Sequence, residues 1–186
     1  MGDRLIHPFV FQIPFRRSRD LRVGIVSDTH GAMDPALAGI FKGCALILHL
    51  GDIGKPAILS ELEKVAPVVA IRGNHEPQSL MDLPRLRSLD LEDVRVMLSH
   101  GLSSMDRGVA RSMFPDFFRR LKDEGVRLLL FGHTHQAEAF EEDGVVFANP
   151  GLAGAADNGR TRSAAVLRLG EDHGTIEFHF LQGREP

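Results

Sequence analysis

Five short clusters of Asp, Asn and His follow one another along this chain, each directly after an apolar run: Asp28-Thr29-His30, Gly51-Asp52, Gly73-Asn74-His75-Glu76, His100-Gly101 and Gly132-His133-Thr134-His135. The runs before them, residues 21–27, 45–50, 67–71, 94–98 and 126–131, have the length and content of buried strands. Side chains that follow such strands converge along one edge of a sheet however far apart they stand in sequence. The pattern therefore restricts the chain to an α/β architecture with one functional edge, and convergent Asp, Asn and His imply a divalent metal.

The segments between the clusters fill in that architecture. Asp34-Pro35 offers a helix N-cap followed by proline at the first helical position, and residues 56–65 read as a second helix. Strands alternating with helices predict a largely parallel sheet covered on both faces. Pro115 and Asp116 start a further helix that carries Phe117, Phe118 and Leu121 and ends at Gly125. Residues 138–141 and 145–148 around Asp143-Gly144, and 163–169 and 175–181 around Glu171-Asp172-His173-Gly174, read as antiparallel hairpins. A four-layer αββα sandwich, two mixed β-sheets face to face with helices outside, uses all of these elements.

No repeat, low-complexity tract or linker divides residues 20–184, so they are expected to form one domain behind an N-terminal arm of residues 1–19. The arm's apolar residues, Ile6, Phe9, Val10, Phe11, Ile13 and Phe15, are interrupted by Pro8, Gln12 and Pro14, and its arginines follow them, an order that argues against a signal peptide. The arm is expected to pack over its own domain or stay untied. The alternative, an arm that pairs with a partner subunit, would make the protein a homo-oligomer.

With 43% hydrophobic and 25% charged residues the chain matches soluble globular proteins, and it has no long uninterrupted apolar stretch for a bilayer. We expect a cytoplasmic protein. A net charge of −3 gives no general pull toward nucleic acid, so any affinity for a phosphorylated partner must come from a local site or bound cations, which favours a small substrate. The single cysteine, Cys44, excludes an internal disulfide and cysteine-rich zinc sites; beside the apolar residues 45–48 it is expected to be a buried, inert thiol.

Asp28 and His30 stand two residues apart, as do His133 and His135, a spacing that in extended backbone aims both members to one side while Thr29 and Thr134 point away. Gly51, Gly73, Gly101 and Gly132 allow tight turns beside them. The candidate ligands, Asp28, His30, Asp52, Asn74, His100, His133 and His135, are too many for one four-coordinate zinc but suit two sites sharing the Asp52 carboxylate. Two cations roughly 3.5–4 Å apart activate a bridging water and stabilise the charge of an in-line displacement at phosphorus. Carboxylate, amide and imidazole donors without thiolate point to Mn2+, with Fe, Zn or Ni as alternatives.

His75 and Glu76 fall outside the metal set. His75 can protonate an alkoxide leaving group; Glu76 either orients that imidazole or caps the next element ahead of Pro77. His49, between Leu48 and Leu50, is expected to be a satisfied histidine near the sheet end. His7, His173 and His179 read as surface or packing residues, and Arg160 and Arg162 as solvated loop arginines rather than contacts to a substrate phosphate.

In order and content the clusters resemble the signature of the calcineurin-like metallophosphoesterases, most closely their small single-domain phosphodiesterase branch: Asp-x-His, Gly-Asp, Gly-Asn-His followed by an acid, His, and Gly-His-x-His. The resemblance spans about residues 21–182 and includes the turn Asn149-Pro150-Gly151. It implies that Asp28, His30, Asp52 and His135 hold one metal, that Asp52, Asn74, His100 and His133 hold the other, and that His75 assists the leaving group. The implied activity is hydrolysis of a phosphodiester of a small or nucleotide-like substrate by a hydroxide bridging two divalent metal ions, with His75, Asp52 and Asn74 catalytic. The alternatives are a phosphomonoesterase and a non-catalytic protein-binding scaffold of the same fold; the intact Asn74-His75-Glu76 and His100 favour an enzyme. An amidohydrolase barrel would need roughly 200 residues at minimum and its His-x-His first rather than last. A metallo-β-lactamase-like site would want Asp-His after His-x-His, where Gln136-Ala137-Glu138 stands. Two departures, Leu152 after the Asn-Pro-Gly turn and the undiagnostic residues 102–113, are expected to line the substrate approach.

Overall fold

Neighbouring apolar residues of a strand point to opposite faces, so each short run in this chain feeds two cores at once. In β2 (Leu21–Val26), Val23 and Ile25 join a central core while Val26 joins an outer one. β3 (Leu46–His49) divides Leu48 from Ile47 in the same way, and β7 (Val126–Phe131) divides Leu128 and Leu130 from Leu129 and Phe131. Each fully buried Leu or Ile contributes about 1.5–3 kcal/mol. The structure is a computed structural model, and it describes residues 9–13, 21–101, 115–155, 159, 161–170 and 174–181. Residues 102–113, Arg160, His7 and His173, singled out above, lie outside the described residues.

β2 and β3 belong to a six-stranded sheet in the order β1-β11-β10-β2-β3-β4, with β1 at Phe9–Ile13, β4 at Val68–Ala70, β10 at Arg162–Leu169 and β11 at Gly174–Leu181. The second sheet runs β5-β6-β7-β9-β8, with β5 at Leu86–Leu91, β6 at Val94–Ser99, β8 at Ala137–Glu142 and β9 at Val145–Pro150. β2, β3 and β4 are mutually parallel, as are β6, β7 and β9; the other pairs are antiparallel. The central core lies between the sheets. α1 (Ala36–Ile40) and α2 (Pro56–Glu63) cover the outer face of the first sheet through Leu37, Ile58 and Leu62, and α3 (Pro115–Asp123) covers the second through Leu121, with Phe117 and Phe118 against it. This is the four-layer αββα sandwich. Gly24 lets Phe41 lie flat on the sheet, since a Cβ there would stand 2.7 Å from the ring.

Two strands were not anticipated. β5 pairs with β6, yet only Leu89 and Leu91 pack inward, so its run reads as polar. β1 pairs with β11 of its own chain from Phe9 opposite Phe178 to Ile13 opposite Gly174, covering amides and carbonyls that an edge strand otherwise presents. Among the described residues no helix is long and apolar enough to cross a membrane.

Candidate metal centre

The seven candidate ligands come to one edge of the sandwich, beyond the carboxyl ends of the parallel strands. Asp28 and His30 follow β2, Asp52 follows β3, Asn74 follows β4, His100 follows β6, and His133 and His135 follow β7. Backbone bonds knit the loops within each sheet, Asp28 N–H to Gly51 O (3.0 Å), His30 N–H to Asp52 O (2.9 Å) and Gly132 N–H to His100 O (3.0 Å). The His133 N–H crosses between the sheets to Asp28 Oδ2 at 3.0 Å. Two triads result, Asp28/His30/His135 and Asp52/His100/His133, each with its donor atoms within 4.8 Å of one another. They adjoin: His100 Nε2 is 3.4 Å from Asp52 Oδ1 and 3.9 Å from Asp28 Oδ1, and Asn74 Oδ1 lies 3.0 Å from His100 Nε2. His75 is exposed at the mouth; its ring centre is 6.5 Å from that of His30, and its backbone N–H donates to Asp52 Oδ1 (2.9 Å).

The convergence does not arise from extended backbone, as the two-residue spacing suggested. Asp28, His30, Asp52, His133 and His135 have φ of 55°, 46°, 52°, 71° and 59°, the left-handed region, which costs an L-residue about 1–2 kcal/mol and persists where the surroundings enforce it. The intervening threonines do point away, and they anchor the turns. Thr29 Oγ1 donates to Ile53 O (3.0 Å), and Thr134 Oγ1 accepts from Asn149 Nδ2 (2.8 Å), which also donates to Gly132 O (3.0 Å). A Cβ on Gly73 would collide with the Asp52 carboxylate, whereas one on Gly101 would meet nothing within 4 Å among the described residues.

Asp28 is fully buried; Oδ2 takes the His133 amide, while Oδ1 accepts no hydrogen bond among the described residues. A buried, unsatisfied carboxylate oxygen is costly unless a cation completes it. At Asp52 burial favours the neutral acid, but hydrogen bonds from His100 and from the His75 amide, with the charges of His100 and His30, hold its carboxyl well below the usual carboxylate range. At His100 burial opposes charging, and the hydrogen bond to Asp52 with the charges of Asp28 and Asp52 outweighs it, so the pKa is raised. His100 Nδ1 donates to Leu50 O (2.8 Å), which turns Nε2 toward the site. An orphaned Oδ1, oxygen and imidazole donors without thiolate, and two adjoining triads fit divalent cations.

Two supporting residues emerge. His49 is completely buried and satisfied, as expected: Nδ1 accepts from Gly51 N (3.3 Å) and Nε2 donates to Thr29 Oγ1 (2.9 Å), while burial pushes its pKa down to about 3. Glu76 takes neither anticipated role. Its Oε1 accepts from Ile53 N (3.0 Å) and Gly73 N (3.1 Å) and its Oε2 from Gly54 N (3.1 Å), so it ties the loops after β3 and β4 together. One carboxylate thereby satisfies three amides that the strand ends leave over. Only the acid after Gly-Asn-His marks this residue in sequence.

Four peripheral expectations change or hold. Leu152 is fully buried and does not line the approach; its carbonyl accepts the Ser163 amide at 2.7 Å. Arg162 is not solvated, since it pairs with Asp34 and donates from Nε to Gly154 O (2.6 Å). Cys44 is a buried free thiol whose pKa burial raises, and His179 stands 3.8 Å from Glu177 on β11.

Residues 21–172 match the profile of the calcineurin-like phosphoesterase superfamily domain. A probable metallophosphoesterase of Methanothermobacter thermautotrophicus is 37% identical over 135 residues, covering 69% of this chain and 75% of the relative. The phosphodiesterase MJ0936 of Methanocaldococcus jannaschii is 22% identical over 150 residues, with 70% and 83% covered. Among solved structures, wild-type Vps29 of Entamoeba histolytica complexed with Zn2+ superposes with a TM-score of 0.70 at 21% identity over 89% of this chain and 95% of that one, a likeness of fold.

Proposed function

The chain belongs to the calcineurin-like phosphoesterase superfamily, and from that premise we propose that it is a metal-dependent phosphodiesterase acting on a small or nucleotide-like substrate. The observation that carries the reading is the pair of adjoining Asp/His triads on one sheet edge, with the unsatisfied Asp28 Oδ1 facing them. Asp28, His30, Asp52 and His135 hold one cation, and Asp52, Asn74, His100 and His133 the other. Bound there, two divalent cations supply Lewis acidity at a phosphoryl oxygen and bring a water's pKa into the neutral range. Mn2+ suits the donors best, with Fe, Zn and Ni as alternatives.

The chain's own residues do the rest. Asp52 is held ionised by its hydrogen bonds, so it is ready to bind cations at neutral pH. His75, fixed through its backbone on Asp52 and exposed at the mouth, donates a proton to the departing alkoxide oxygen. Glu76 and His49 hold the loops that present these groups.

The test is a screen of the purified protein with Mn2+, Fe2+, Zn2+ and Ni2+ on bis(p-nitrophenyl) phosphate and p-nitrophenyl phosphate. We expect Mn2+-dependent turnover, faster on the diester, abolished by chelator and restored by Mn2+. Faster monoester hydrolysis would make the protein a phosphomonoesterase, and no turnover with metals bound would leave the scaffold reading.

A further inference from the structure

Beside the Asp52/His100/His133 triad lies a cavity of about 570 Å3, within the range of small-molecule sites. His133, His100 and Asn74 line it, and so do Arg72 and Arg85. The two arginines are brought near each other by the backbone bond from Arg72 N to Pro84 O (2.9 Å). Several other arginines are paired, Arg95 with Asp90, Arg162 with Asp34 and Arg168 with Glu177. Among the described residues neither Arg72 nor Arg85 has a carboxylate partner. Arg72 reaches only Met81 Sδ (3.5 Å) through Nη1, and its Nε is buried with no hydrogen-bond partner. Leu86, 52% exposed, adds an apolar patch to the same wall.

Two unpaired guanidiniums in a pocket shared with a metal site add positive charge that a singly charged phosphodiester does not match. A terminal phosphate, carrying about −1.5 to −2 charges, does match it, and guanidinium forks suit its oxygens. Resting on the phosphodiesterase reading above, we infer that Arg72 and Arg85 form an anion subsite, and that the substrate is a phosphoester whose organic part carries a second phosphate. The simplest representative is a nucleotide phosphodiester with a terminal phosphate on a separate oxygen; adenosine 3′,5′-bisphosphate mimics its cleaved product. Leu86 offers its apolar surface to the organic part between the two phosphates.

The experiment is calorimetric binding of adenosine 3′,5′-bisphosphate and adenosine 5′-monophosphate to the Mn2+-loaded chain, in wild type, Arg85→Ala and Arg85→Lys. Arg85 is exposed, so its replacement leaves the core intact. We expect the bisphosphate to bind about 10-fold or more tightly than the monophosphate in wild type. That advantage should vanish in Arg85→Ala and survive in part in Arg85→Lys, which keeps the charge but not the fork. Equal affinities in wild type, or an undiminished advantage in Arg85→Ala, would overturn the subsite. Turnover of bis(p-nitrophenyl) phosphate by the same preparation is scored separately: its absence with metals bound overturns the phosphodiesterase reading, and its presence with equal nucleotide affinities overturns the subsite alone.

Discussion

Seven non-glycine residues among those described share one uncommon backbone conformation, and they fall into two groups. Glu92 and Asp143 are left-handed in the hairpin turns β5–β6 and β8–β9, where that conformation follows the twist of the strands and Gly144 repeats it. Asp28, His30, Asp52, His133 and His135 are left-handed at the sheet edge, where no hairpin asks for it and bonds between loops impose it. In the turns the dihedral closes the chain. At the edge the dihedral aims the side chain, and the backbone cost is tolerated for the sake of the group it presents. Strain and the proposed ligand role coincide in one group, and the other carries the strain without that role.

The sharpest way to break that distinction is Asp52→Gly, which relieves the backbone while deleting the carboxylate. Metal content and diester turnover should both fall below detection; two retained metals would mean that Asp52 is not the shared ligand. His75→Ala should keep both metals and lose roughly 10²–10⁴-fold in rate on esters with poor leaving groups. Loss of metal in that variant would put His75 back among the ligands.

Next in size is Glu76→Ala, which leaves three loop amides without an acceptor. It should cost about 2 kcal/mol or more in denaturant unfolding of the metal-free protein, and about 10–100-fold in metal affinity by competition with a chelator. His49→Gln is expected to act through pH. The buried imidazole protonates only near pH 3, whereas in the unfolded chain it takes up a proton near the ordinary value of 6.5. Stability from this group is present above about 6.5 and is lost as pH falls toward 3, by up to ~1.4 kcal/mol per pH unit. Unfolding of the metal-free Gln variant should lack that slope; an unchanged slope would assign the acid sensitivity elsewhere. The smallest effect is expected at Glu92→Gly, a stability within ~1 kcal/mol of wild type with metal content unchanged.

The series of clusters was readable before the structure because each ligand type stands at the end of a run whose burial is written in its composition. Leu128, Leu129 and Leu130 declare a strand buried on both faces, and Gly132-His133 follows at once. The means of convergence was not readable, since nothing in Asp-Thr-His distinguishes a left-handed turn from an extended strand end. The role of Glu76 was hidden for a related reason: its partners are backbone amides, which carry no residue-specific signal. β5 was hidden by exposure, and β1 by the prolines on either side of it in sequence, Pro8 and Pro14, which interrupt its apolar run.

The pairing of β1 with β11 has a consequence for the order of assembly during synthesis. β1 precedes the other described strands, but its neighbour β11 follows all of them, and β10 and β11 must slot between it and β2. Until then the edge of β2 and the whole of β1 are unsatisfied strands on a growing chain, the state in which pairing with another copy competes with folding. The seven proposed ligands, from Asp28 to His135, are all synthesised before that closure, so a nascent chain carries every one of them while its first sheet is still open.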